Sequence, residues 1–252
     1  MQIRQGNLIM NDWFTVEEID TQTYSISEYQ HWEETHCYLI CGKEKAVLID
    51  TGLGICNIRS VALRLTTLPI TVLTTHVHWD HIGGHQHFER IAVHEAEKDW
   101  ITGGFPLSLK EVKEQLTRIP CKLPKDFNID AYKVFQGEPK IILQDGDCFD
   151  LGGRTIQVIH TPEHSPGHCC FYEPVRKYLY SGDLIYKGSL DAFYPSTDPQ
   201  LFRQSVKRLM DYNINRVFPG HHELDIPVSM ISKIEAAFSL LEGQGQLILN
   251  TN

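Results

Sequence analysis

The stretch THVHWDHIGGH, residues 75–85, places His76, His78, Asp80 and His81 within six positions, directly after the apolar run 70–75. Three imidazoles and a carboxylate at the end of a strand that must bury itself are costly unless something compensates them. Imidazole nitrogens and carboxylate oxygens are first-choice ligands for borderline divalent metals, zinc above all, and they also suit iron or manganese. In an extended segment His76 and His78 point to one side. Asp80 and His81, beyond the bend, can point at a neighbouring position. The spacing assigns one pair to each of two metals.

Other conspicuous polar groups also fall where apolar runs end: LIDTG at 48–52, HTPEHSPGH at 160–168, SGD at 181–183 and FPGHH at 218–222. In layered α/β proteins such strand ends open onto loops that converge while the sheet stays rigid. His164, Asp183 and His221 can therefore join the 76–81 cluster. A lone histidine, by contrast, is usually a surface or satisfied core residue, the reading given to His31, His36, His87, His94 and His222. His85 and His168 flank the motifs and read as supporting residues.

The rhythm around these motifs is α/β. Helical patterns span 57–65, 95–101, 108–116, 199–212 and 228–242. In 199–212 the apolar face is read as Leu201, Val206, Leu209 and Met210. The runs between 140 and 186 read as a meander with turns at QDGD, LGGR and PVRK. No Ser/Gly or Pro-rich linker divides the chain, so residues 1–252 are expected to form one domain. The segment 103–136 holds one helix and otherwise Pro, Phe and Gly, and reads as an inserted lid or pocket wall. The last helix can pack on the body or form a homodimer face.

Composition limits the partners. Of 252 residues 42% are hydrophobic, a globular proportion, and the net charge of −9 argues against nucleic acid or an anionic membrane as a general partner. No apolar run has the length of a signal peptide core or a membrane span. Seven cysteines, an odd count without a C-x-x-C pair, suit reduced thiols and hence a cytoplasmic setting.

Taken together, H-x-H-x-D-H, T-P-x-H-S-x-G-H, S-G-D and P-G-H, in that order after LIDTG, resemble the metallo-β-lactamase superfamily. The resemblance implies a four-layer αβ/βα sandwich with a dinuclear metal site at one edge. His76, His78 and His164 would hold the first ion, and Asp80, His81 and His221 the second. Asp183 would bridge them, and Asp50 would sit beside the ligands, orienting one of them or its turn. The longer blocks VLIDTGLG, THVHWDHIGG, AVHEAE, ILQDGD and SGDLIYKGSL are similar to glyoxalase-II-like hydrolases. They are most similar to the metallo-β-lactamase domain-containing protein 2 group, associated with acyl-coenzyme A thioester hydrolysis. Two departures matter. Glu163 stands where the family commonly has Gly, and the second set has His81 where many true β-lactamases have Cys. With no export segment expected, antibiotic hydrolysis is not the expected task.

The implied chemistry is attack on a thioester or ester carbonyl of a small molecule by a hydroxide shared between two divalent ions. Asp80 would double as ligand and proton shuttle. Tyr186, in the D-x-x-Y that also resembles N-acyl homoserine lactonases, would reach the carbonyl oxygen. Phe105, Phe193 and Tyr194 would line an apolar trench for an acyl chain, so that activity rises with chain length. The alternatives are a lactone hydrolase and, from another class, a mononuclear-iron persulfide dioxygenase.

Overall fold

A computed structural model of the chain describes residues 12–190, 192 and 197–244, together with the backbone of the short strand at 8–9. Among these residues the strands are β1 (Leu8–Ile9), β2 (Thr15–Asp20), β3 (Thr23–Ser27), β4 (His36–Cys41), β5 (Ala46–Ile49), β6 (Ile70–Leu73) and β7 (Ile91–His94). Then follow β8 (Ile141–Leu143), β9 (Cys148–Asp150), β10 (Thr155–His160), β11 (Cys169–Glu173), β12 (Tyr178–Gly182) and β13 (Arg216–Pro219). They form two sheets, one of eight strands in the order β1 to β8, the other of five in the order β13-β12-β11-β10-β9. The α-helices are α1 (Ile58–Leu65), α2 (Trp79–Ile82), α3 (Leu109–Leu116), α4 (Pro199–Leu209) and α5 (Ser229–Gly243).

The layering follows from the period of two along a strand. Every residue of β4 and β5 is buried, because each face of the sheet has its own cover. Tyr38, Ile40, Val47 and Ile49 point at the second sheet, where they meet Ile156, Val158, Phe171, Tyr180 and Phe218. Cys37, Leu39, Cys41, Ala46 and Leu48 point the other way, against Ile58, Val61 and Ala62 of α1 and Val112 and Leu116 of α3. The outer face of the second sheet (Cys170, Tyr172, Leu179, Val217) is covered by α4 and α5. The result is helix, sheet, sheet, helix, the αβ/βα sandwich that the motifs imply.

Helix ends follow ordinary capping chemistry. Ser108 and Glu111 form a reciprocal capping box at the start of α3. Asp198 accepts from the first amides of α4, with Pro199 at its first position. The buried face of α4 is Phe202, Val206 and Leu209, not the face read from sequence: Leu201 and Met210 are 39% and 53% exposed. Phe202 stacks on Phe238 of α5 with centroids 5.0 Å apart, and Ile231 and Ile234 are buried with it. The final helix thus packs on the body.

Three further local readings change. Strands β2 to β4, which carry the antiparallel half of the large sheet, have no counterpart in the sequence reading. The run at 140–144 gives β8, which leaves the meander and pairs in parallel with β7 of the first sheet; only β9 to β12 form the meander. After β7 the chain makes a 3₁₀ turn at Glu95–Glu97 and a π turn at Trp100–Gly104 rather than a continuous helix.

The two sheets are also joined through one buried guanidinium. Arg154, before β10, makes a bidentate pair with Glu173 at the end of β11, at 2.8 and 2.7 Å. Its remaining N–H groups donate to the carbonyls of Gln22 and Cys41 and to Thr23 Oγ1, all in the first sheet or its turns. The side chains of this pair are 9% and 0% exposed.

Among the described residues no helix is long and apolar enough to cross a membrane. The seven cysteines are free, and Cys169 and Cys170 are buried.

Candidate metal centre

Strands β5, β6, β10, β12 and β13 end at one edge of the sandwich, and each delivers polar groups there. Asp50 follows β5 with a positive φ of 58°, which turns its carboxylate across the edge. It accepts from Thr75 N–H at 2.8 Å and Thr75 Oγ1 at 2.7 Å, and it lies 2.8 Å from His81 Nδ1. One carboxylate therefore fixes both the strand end before His76 and the ring of His81. The turn after Asp50 lies against the turn after His81 so closely that a Cβ on Gly83 would sit 2.3 Å from the Leu53 carbonyl carbon. Only glycine admits that approach. The amide N–H of Gly83 donates to the carbonyl of Gly52, and that of Thr51 to the carbonyl of His81, both at 2.8 Å.

These supports bring the predicted residues together. The possible ligand atoms fall into three overlapping groups, each within 4.8 Å: His76 with His78 and His164; His76 with His81 and Asp183; Asp80 with His81 and His221. His78 Nδ1 lies 2.9 Å from His76 Nε2 and 3.1 Å from His164 Nε2. His81 Nε2 lies 3.2 Å from His221 Nε2. Nitrogens bound at 2.0–2.1 Å in a tetrahedron stand about 3.3–3.4 Å apart, so these spacings are close to those of a ligand shell. Asp183 lies between the sets: its Oδ2 is 3.6 Å from His164 Nε2, 3.9 Å from His76 Nε2 and 3.1 Å from His221 Nε2. Its Oδ1 is buried in the cluster, 3.3 Å from His81 Nε2 but without a well-aligned hydrogen bond. A cation fits this donor set.

Three of the rings, His76, His81 and His221, are held from behind at Nδ1, which turns their Nε2 atoms into the cluster. His221 Nδ1 is 2.7 Å from the carbonyl of Glu33 and His76 Nδ1 is 3.0 Å from Thr75 Oγ1. His168 is not in the cluster; its Nε2 accepts from the backbone N–H of Asp183 at 3.1 Å, fixing the residue between the sets. His85 lies behind the turns, 2.7 Å from Thr51 Oγ1 and 2.8 Å from Thr74 Oγ1.

Electrostatics divide the cluster. Burial, with His164 beside it, holds His78 down to about 3, and burial with His81 and His78 holds His76 well below the usual imidazole range. Both are neutral and ready to donate lone pairs. Burial also opposes charge on His81 and His221, but Asp183 and Asp80 outweigh it and hold both well above the usual range. Burial disfavours ionised Asp80 and Asp183 as well, yet the same imidazoles, His81 foremost for Asp80 and His221 for Asp183, prevail. Asp80 is lowered to about 2 and Asp183 falls well below the carboxylate range.

A polar cavity of about 120 Å³ opens over the cluster, lined by Glu33, His78, Trp79, Asp80, His164, Asp183, Tyr186, His221 and His222. Tyr186 lines this cavity, and its hydroxyl donates to the carbonyl of Ser189. Phe105 is not among the lining residues. It packs against the cores beneath α1 and α3 and beneath the π turn, because its neighbours Val112, Leu116 and Tyr132 are themselves buried core. None of 103–136 is among the residues lining this cavity; residues 126–128 and 131–136 line a separate one with Gly54, Ile55 and Gln86. Phe193 and Tyr194 lie outside the described residues. Glu163, despite replacing glycine, is not among the residues of positive φ.

Sequence reasoning missed Glu33, Trp79 and His222 as lining groups. Glu33 carries no periodic or motif signal, His222 ends the FPGHH block but reads as a satisfied histidine, and the bridge between Thr35 and His221 is what brings the 31–35 loop to the site. Of the histidines read as satisfied, His31 is buried 2.9 Å from the Leu116 carbonyl. His36 sits between Ser27 Oγ and the His222 carbonyl.

Comparison with known proteins agrees with this architecture. Residues 32–221 match the family described as the Metallo-beta-lactamase superfamily. The chain is 31% identical over 232 residues to "Acyl-coenzyme A thioesterase MBLAC2" of Homo sapiens, covering 83% of this chain and 81% of that protein. It is 29% identical over 200 residues to "Hydroxyacylglutathione hydrolase GloC" of Haemophilus influenzae, covering 75% and 85%. A metallo-beta-lactamase family protein of Thermus thermophilus superposes with a TM-score of 0.66 at 24% identity, over 90% of this chain and 82% of the other. The fold is the αβ/βα sandwich and the family's pattern matches over 32–221: the chain belongs to the metallo-β-lactamase superfamily.

Proposed function

We propose that this protein is a metal-dependent thioesterase acting on a small acyl thioester, with coenzyme A or a related thiol as the acyl carrier. The observation that carries this is the convergence of seven ligand residues in two sets with Asp183 between them. In this reading His76, His78 and His164 hold one divalent ion, and Asp80, His81 and His221 a second, zinc before iron or manganese. Ions held there would bring the pKa of a water towards ~7 and polarise a carbonyl. Asp50 keeps His81 turned to its ion. Asp80, ionised and facing the cavity, accepts the proton of the attacking water and passes it to the departing sulfur as the C–S bond breaks. Tyr186, released from Ser189, donates to the carbonyl oxygen.

The leaving group argues for a thioester. A thiol of pKa about 8.5 departs with little protonation, so this step asks little of an acid in the cavity. The two relatives named above support the same choice, since both names describe an acyl group carried on a thiol. Neither supports the lactone or the persulfide reading.

A competition between substrates tests this. Acyl-coenzyme A esters, a hydroxyacylglutathione and acyl homoserine lactones of matched chain length should be compared by kcat/KM. Thioesters are expected to lead by about tenfold or more, a difference of roughly 1.4 kcal/mol in the barrier. Lactones turned over as fast or faster would overturn the assignment.

A further inference from the structure

Glu97 is fully buried yet belongs to none of the ligand groups. It sits in the 3₁₀ turn after β7, and its two oxygens reach in different directions. Oε2 accepts the backbone N–H of Val77 at 2.5 Å, between His76 and His78. Oε1 accepts the backbone N–H of Gly167 at 3.0 Å, on the loop that carries His164. Gly167 is shaped to this contact: a Cβ there would stand 2.8 Å from Glu97 Cγ, and its three nearest neighbours would all be side-chain atoms of Glu97. The glycine makes room for the carboxylate.

We propose that Glu97 is a positioning residue that sets the separation of the two loops carrying His76, His78 and His164, and so sets the affinity of that three-histidine set for its ion. The inference rests on the metal-holding reading given above. A carboxylate can do this because it offers two acceptors about 2.2 Å apart on a rigid plane, one for each loop. The loops also meet where Cys169 N–H donates to the carbonyl of Thr75 at 2.7 Å, but that bond lies beyond the ligands rather than between them. Supports of this kind commonly change metal affinity by about 10–100-fold. These hydrogen bonds end at Val77, between the first-set histidines, and at Gly167, past His164; Asp80 and His81 follow on the same turn as Val77, but His81 is fixed by Asp50, so the second set should feel the loss less.

The test is stepwise metal affinity. Metal-free wild-type protein is titrated with Zn²⁺ or Co²⁺ against a chromophoric chelator, and the step belonging to the three-histidine set is the one abolished by His164→Ala. In Glu97→Gln, which places an amide N–H₂ against one of the two N–H donors, that step should weaken about 10–100-fold. The other step should hold within about threefold, and the circular dichroism spectrum should be that of the folded wild type. Gly167→Ala, whose methyl pushes the carboxylate away, should give the same selective loss. Equal weakening of both steps, or unchanged affinity in a folded variant, overturns the inference. So does failure of both variants to fold, since the residue would then serve the core. If the wild type binds no ion through His164, the metal reading itself has failed, a distinct result.

Discussion

Asp183→Ala is expected to lower the metal content of the purified protein and to reduce thioester hydrolysis by about 10³-fold or more. The geometry explains why this residue should matter more than any one histidine. Its Oδ2 reaches His164 and His76 on one side and His221 on the other, while Oδ1 lies 3.3 Å from His81 Nε2. Alanine removes the contact between the two sets and a negative charge beside His81 and His221, whose Nε2 atoms lie 3.2 Å apart. A loss of about 4 kcal/mol in transition-state stabilisation corresponds to about 10³ in rate, and several kcal/mol is what a fixed metal ion supplies. Asp183→Asn keeps the shape and removes the charge, so it should fall in the same direction. Elemental analysis alongside kcat/KM reads both effects. Near-normal turnover with an undiminished metal count would remove the site.

The second large effect falls on stability and leaves the metals alone. Arg154→Ala should cost about 3–5 kcal/mol, the usual penalty for leaving a buried charge without its partner. For a chain of this size that is a fall of roughly 10 °C in thermal midpoint. Glu173 would keep its charge at 0% side-chain exposure after losing both hydrogen bonds from the guanidinium. The carbonyls of Gln22 and Cys41 would lose a donor as well. The double change Arg154→Met with Glu173→Leu should recover much of the loss, because an apolar pair of similar volume often matches a buried ion pair. Calorimetry of the two variants distinguishes these outcomes. A midpoint for Arg154→Ala within about 2 °C of wild type would mean the pair does not join the sheets as described.

What is legible in the sequence divides along a physical line. Ligand chemistry allows few residue types, so H-x-H-x-D-H and the strand-end His164, Asp183 and His221 stand out from an ordinary background. The αβ/βα layering is reached through the same motifs, and β5, with every residue buried, announces itself as a run of apolar residues. Partners chosen across space leave no local trace. The run at 140–144 reads as the first strand of a meander because sheet membership depends on which edge is open, and the edge of β7 takes it. In α4 the true face contains Phe202 rather than Leu201, a one-residue rotation that a short amphipathic helix does not resolve until α5 lies against it. Phe105 is aromatic and loop-borne, which suits a pocket wall and a core anchor equally. Glu33 reaches the cavity because the 31–35 loop bridges to His221. Glu97, inside the visible block AVHEAE, is marked by its motif but not by its two hydrogen bonds, which belong to loops distant in sequence.

The most direct measurement is metal stoichiometry and thioester turnover on the same purified sample, before and after exhaustive chelation and again after refilling with Zn²⁺. Two ions per chain, loss of turnover as they are withdrawn and its return as they are restored is the predicted result. Undiminished turnover in protein freed of metal would contradict it.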